Sequence, residues 1–190
     1  MQRVEAPAEI EGPILIKPVV HGDHRGFFHE TYRRNAYAEL GVTEDFVQDN
    51  HSRSSHGILR GMHFQVGEGT AKLVRCARGA ILDVVVDLRR GSPTYGRWQA
   101  FELNDENLNQ LYIPVGFAHG FLVLSDVADV IYKCSRYYDG TIERGIAWND
   151  PDVGIEWPAH IEVKTSERDD NAPLLADIAD ELPFVYEPGG

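Results

Sequence analysis

Three histidines stand among neighbours that could take part in proton chemistry. His63 lies in Leu59-Arg60-Gly61-Met62-His63-Phe64-Gln65, His119 in Ile113-Pro114-Val115-Gly116-Phe117-Ala118-His119-Gly120-Phe121, and His51 follows Gln48-Asp49-Asn50. An imidazole titrates near neutrality, where a general base is effective. A histidine inside a strand is more often a satisfied structural residue, and His119 has such a reading: a ring filling the turn between Gly116 and Gly120. His63 has more in its favour, because strand alternation places it on one face with Gln65. As a base it needs an acceptor for its second nitrogen. Asp169, in Ser166-Glu167-Arg168-Asp169, and Asp83 are the two candidates. Inverting a carbon centre would also need a proton donor on the opposite side. Tyr132 suits that task, since a phenol can donate to a carbanion and recharge, although its alternation with Val130 and Cys134 fits a core tyrosine equally well.

A metal site would read differently. Such sites in β-barrels usually draw a His-x-His pair and a carboxylate from one hairpin and a further histidine from another strand. Here the position reads His63-Phe64-Gln65, with no carboxylate until Glu68, so no metal is expected. Among the basic residues, Arg33-Arg34 and Arg89-Arg90 look like solvated pairs at element ends. Arg25, Arg60, Lys72 and Arg168 sit in apolar or glycine-containing sequence, where a charge needs a partner. Arginine suits bidentate phosphate contacts. Simple alternation puts Arg60 and His63 on opposite faces; a bulge or bend at Gly61 would bring both to one cavity.

The elements that must hold these groups read as short strands between turns. Candidate strands cover residues 14–19, 26–32, 46–52, 57–65, 71–78, 80–88, 96–103, 110–113, 120–125, 129–134 and 145–147. Leu82, Val84, Val86 and Leu88 alternate against Asp83 and Asp87. Helical signals are confined to residues 34–40, closed by Gly41, and 174–181, ended by Pro183. Many short strands with almost no helix predict an all-β sandwich or barrel, and a jelly roll with a ligand site in its mouth suits the pattern. The chain of 190 residues predicts one domain, with a core barrel over about 12–150 and the segment 151–190 packed over it.

Composition narrows the function classes. A net charge of −12 argues against nucleic acid, which demands a basic footprint, but leaves room for a small phosphorylated ligand. No apolar run is long enough for a membrane helix, and residues 1–11 lack a signal-peptide core, so a cytoplasmic protein is expected. Cys76 and Cys134 have no zinc spacing and read as buried thiols.

Several stretches resemble the dTDP-4-dehydrorhamnose 3,5-epimerase family. They include Asp23-His24-Arg25-Gly26-Phe27-Phe28, Gln48-Asp49-Asn50-His51-Ser52, the Gly57–Gln65 and Ile113–Phe121 runs, Ala71-Lys72-Leu73-Val74, Tyr132-Lys133-Cys134 and Ser166–Asp169. The resemblance covers residues 12–175. It implies a cupin-type jelly roll, without metal or organic cofactor, that inverts C3 and C5 of a dTDP-linked 4-keto-6-deoxysugar. It further implies His63 as the base, Asp169 as its orienter, Tyr132 as the donor and Lys72 as the enolate stabiliser. Arg25, Phe28, Glu30, Gln48, Asn50, Arg60, His119, Glu143 and Arg168 match substrate-site positions, and Tyr138 matches the residue stacked on the base. A homodimer is implied, with an N-terminal segment exchanged into the neighbouring site. Met62 replaces the usual leucine and Arg168 a common lysine. The competing readings are a C3 or C5 mono-epimerase, a metal-dependent cupin oxygenase and a non-catalytic nucleotide-sugar binder.

Overall fold

The computed structural model describes residues 2–3 and 10–188. The strands are β1 (Gln2–Arg3), β2 (Ile14–Lys17), β3 (Val20–Asp23), β4 (Gly26–His29), β5 (Gln48–Ser55), β6 (Leu59–Gln65), β7 (Lys72–Arg78), β8 (Ala80–Asp87), β9 (Trp98–Asn104), β10 (Gln110–Ile113), β11 (Phe117–Val123), β12 (Val127–Cys134) and β13 (Glu143–Gly145). The helices α1 (Arg34–Ala38), α2 (Glu167–Asp170) and α3 (Leu175–Ile178) are short. One sheet has the order β1-β2-β10-β7-β12-β5 and the other β13-β6-β11-β8-β9, while β3 and β4 form a separate hairpin. Neighbours in both sheets are antiparallel, and apart from the consecutive pairs β1–β2 and β8–β9 they are not successive in sequence, as in a cupin-type jelly roll.

Three apolar layers follow from this arrangement. Between the sheets, Val74, Cys76 and Val130 meet Ile81, Val85 and Phe121. Outside the second sheet, Met62, Val84 and Val86 lie beneath Val153, Leu175, Leu182 and Phe184. Outside the first, Ile16, Leu73 and Tyr112 are covered by Tyr37 and Val42. The apolar alternation of β8 therefore points outward, under the C-terminal segment. Its two aspartates point into the barrel, each 0% exposed, where each requires a partner. Asp87 accepts bonds from Arg89, Ser92 and Thr94. Asp83 belongs to the functional site.

Some boundaries differ from the sequence expectation. The run 116–120 is not a turn around His119. The strand begins at Phe117, and Gly120 lies inside it because two backbones cross there: a Cβ on Gly120 would come within 2.6 Å of Met62 Sδ. The hairpin strand β3 and the four-residue helix α2 were not foreseen, being too short to show a period. No helix among the described residues is long and apolar enough to cross a membrane.

Candidate active site

The barrel mouth holds a cavity of about 520 Å³ whose lining includes Arg60, His63, Lys72, His119, Tyr132 and Asp169. Tyr138, Glu143 and Arg168 also line it. A larger groove, about 810 Å³, lies outside the second sheet along Trp98, Tyr95 and Leu175, and contains none of the histidines.

Arg60 and His63 reach the same cavity because the β6–β11 ladder slips. His63 pairs with His119, but Arg60 pairs with Phe121, so two residues, Gly61 and Met62, oppose Gly120. Gly61 has φ +134°, and a Cβ there would lie 2.5 Å from Gly120 Cα. Only glycine fits this bulge. Arg60 is then steadied by a 3.0 Å bond from its Nε to Ser54 Oγ.

Each histidine in the cavity has its own carboxylate. Asp169 Oδ1 lies 2.7 Å from His63 Nε2, and Asp169 Oδ2 accepts a 3.4 Å bond from the Gly61 N–H. An ionised carboxylate only accepts, so Nε2 carries the proton and Nδ1 is the basic nitrogen. Burial pushes the Asp169 carboxyl up, but bonds from His63, Gly61 and Ser166 outweigh it and hold the pKa below the ordinary value. Asp169 is placed for this by α2, whose first turn is capped by Ser166 Oγ. The other sequence candidate, Asp83, instead takes His119 Nε2 at 3.0 Å. His119 Nδ1 then faces Lys72 Nζ at 3.5 Å. A single neutral tautomer satisfies both contacts, and burial, against the pull of Asp83, lowers the His119 pKa in keeping with that form. Burial also lowers the Lys72 pKa.

Tyr132 approaches from the other sheet. Burial first, and nearby Cys134, raise its pKa, so the phenol stays protonated. Gln48 and Asn50 are absent from the lining and stand behind it: Gln48 Nε2 donates to Asn50 Oδ1 at 2.9 Å, Asn50 Nδ2 lies 3.6 Å from Cys134 Sγ, and Asn50 faces Tyr132 across the two strands. At the rim, Arg168 and Glu143 pair at 2.8 Å. Three further expected residues are not brought to the cavity within this chain. Arg25 pairs with Asp23, Glu30 with Arg33, and Phe28 is 72% exposed, because the β3–β4 hairpin joins neither large sheet. Residues 4–9, part of the segment expected to cross to a partner, lie outside the described residues.

Sequence reasoning missed Ser52 and Thr165 as lining residues; alternation with Gln48 and Asn50 was the available signal for Ser52. Among the described residues, no group of three or more His, Cys, Asp or Glu is placed to hold a metal ion. Gln65, at the position a second ligand would take, is bonded to Thr70 Oγ1.

Residues 7–177 match the family model described as dTDP-4-dehydrorhamnose 3,5-epimerase. A Pseudomonas aeruginosa protein of that name is 49% identical over 165 residues, 86% of this chain and 91% of its own. The Legionella pneumophila 3,5-epimerase, solved in complex with dTDP-4-keto-L-rhamnose, superposes with a TM-score of 0.93 at 44% identity, covering 98% of each chain. The dTDP-4-dehydro-6-deoxyglucose 3-epimerase of Streptomyces bikiniensis is 43% identical over 172 residues, 90% of this chain and 88% of its own. With a site of this geometry and a match across nearly its whole length, the chain belongs to the dTDP-4-dehydrorhamnose 3,5-epimerase family.

Proposed function

We propose that the protein converts dTDP-4-dehydro-6-deoxy-D-glucose to dTDP-4-dehydro-L-rhamnose by inverting C3 and C5, without a cofactor. The observation that carries this reading is the His63–Asp169 pair on one sheet sharing a cavity with Tyr132 on the other. The C4 ketone acidifies the adjacent C–H bonds. His63 takes the proton, the electron pair moves onto the ketone oxygen as an enolate, and the Lys72 ammonium donates a hydrogen bond to that oxygen. Tyr132 then delivers a proton to the opposite face and is recharged from solvent. His119, fixed by Asp83, holds Lys72 in place. Arg60 and Arg168 provide cations for the diphosphate, and Tyr138, exposed at the rim, provides a ring for the base.

The exposed hairpin favours a homodimer. Arg25, Phe28 and Glu30 would complete the partner's cavity, delivered with an exchanged N-terminal segment. The reading places the enzyme in the cytoplasm, where nucleotide sugars are made. A single inversion is the second reading, favoured by the 43% identity to a 3-epimerase. Incubation with the substrate in deuterated water, followed by NMR, separates the two. Two inverted centres carrying two deuterons support double epimerisation; one of each supports the mono-epimerase; neither would refute both.

A further inference from the structure

Tyr132 and Asn50 face each other directly across β12 and β5. A phenol offers one proton and two lone pairs, so the way the facing amide points decides where that proton goes. An NH2 group beside the hydroxyl donates to its oxygen and leaves the phenolic proton free. A carbonyl in the same place captures the proton.

The orientation of Asn50 is fixed by a directional chain of hydrogen bonds. The backbone N–H of Tyr138 donates to Gln48 Oε1 at 2.9 Å. A backbone N–H only donates, so the other end of the Gln48 amide is its NH2 group. That group donates to Asn50 Oδ1 at 2.9 Å. Asn50 Nδ2 consequently points the other way, toward Cys134 Sγ at 3.6 Å, on the strand face that Cys134 shares with Tyr132.

We infer that Gln48 is a positioning residue for the reaction: by holding the Asn50 amide with its NH2 group toward Tyr132, it keeps the Tyr132 proton aimed at the substrate carbanion. This rests on the donor role proposed for Tyr132. The same bonds tie the segment bearing Tyr138, at the rim, to the proton donor inside the barrel. Gln48 thus acts on the second proton transfer and leaves the first, made by His63, untouched.

Gln48→Glu tests this with almost no change of volume. A carboxylate still accepts from the Tyr138 N–H but cannot donate to Asn50 Oδ1. The Asn50 amide should turn to donate to Glu, presenting its carbonyl to Tyr132 and capturing the phenolic proton. Two rates are read from one sample of the full-length enzyme in deuterated water: deuterium entering recovered substrate, and appearance of inverted product. Exchange should stay within about threefold of wild type. The exchange-to-inversion ratio should rise at least about tenfold, within the 10²–10⁴-fold range of general acid catalysis. Asn50→Asp, which also offers Tyr132 an acceptor, should raise the same ratio. A partly folded variant lowers both rates together, so the ratio still reports the folded fraction. An unchanged ratio in both variants would overturn the inference, reducing Gln48 to a ligand contact or a structural residue. Absence of exchange and inversion in the wild-type protein would instead overturn the epimerase reading.

Discussion

Asp169→Asn removes a charge without removing volume, and its effect can be worked from two hydrogen bonds. The Gly61 N–H points at Asp169 Oδ2 and His63 Nε2 at Oδ1. An asparagine NH2 group cannot sit against the Gly61 N–H, so it turns toward His63 and the carbonyl takes the Gly61 bond. Nε2 must then accept, which moves the imidazole proton to Nδ1 and blocks the base. Reversing that choice sacrifices the long Gly61 bond, roughly 1 kcal/mol. Losing the charged acceptor for a developing imidazolium removes a further 1.5–3 kcal/mol or so. Together about 2.5–4 kcal/mol raises the barrier, or roughly 10²–10³-fold in rate. Solvent-deuterium exchange at C3 and C5 is the assay, with inversion measured alongside. Both should fall by the same factor, because proton removal precedes both. Exchange within about threefold of wild type would refute the orienting role of Asp169.

Gly61→Ala should destabilise the protein by ~3 kcal/mol or more, since φ is +134° and the new Cβ would lie 2.5 Å from Gly120 Cα. Urea unfolding checks this, and an unchanged midpoint would contradict the bulge. Acidification should weaken the fold in two stages. His119 and Asp169 both have folded pKa values below their ordinary 6.5 and 3.8, so the unfolded chain binds more protons and stability falls as pH drops. Thermal midpoints should decline below about pH 6.5 and again below about 3.8; a flat profile from pH 7 to 5 would contradict the buried neutral His119.

The strand-rich jelly roll was legible because alternation survives in short segments, and β10 matched its expected bounds, residues 110–113. What alternation could not reveal was depth. The apolar face of β8 was visible, but not that it faces outward and leaves Asp83 inside. Without the family resemblance, which pointed to Asp169, Asp83 and Asp169 were both candidates for His63, since these contacts are non-local and sequence separation says nothing about them. The structure gives each carboxylate a different histidine. The bulge at Gly61 was foreseen as a possibility only, because a ladder slip depends on the facing strand. Gly120 misled for a related reason: a glycine marking close backbone approach looks, in sequence, like a glycine marking a turn. The roles of Gln48 and Asn50 were indistinct because one strand face carries both cavity-lining and supporting groups.

In the proposed reaction, protons leave and return on opposite faces through different residues. Tyr132→Phe isolates the returning step, since it removes one hydroxyl and little volume. His63 still forms the enolate in that variant, so deuterium should enter recovered substrate faster than inverted product appears. Full inversion by Tyr132→Phe would contradict the donor role of Tyr132, as would loss of exchange and inversion by an equal factor.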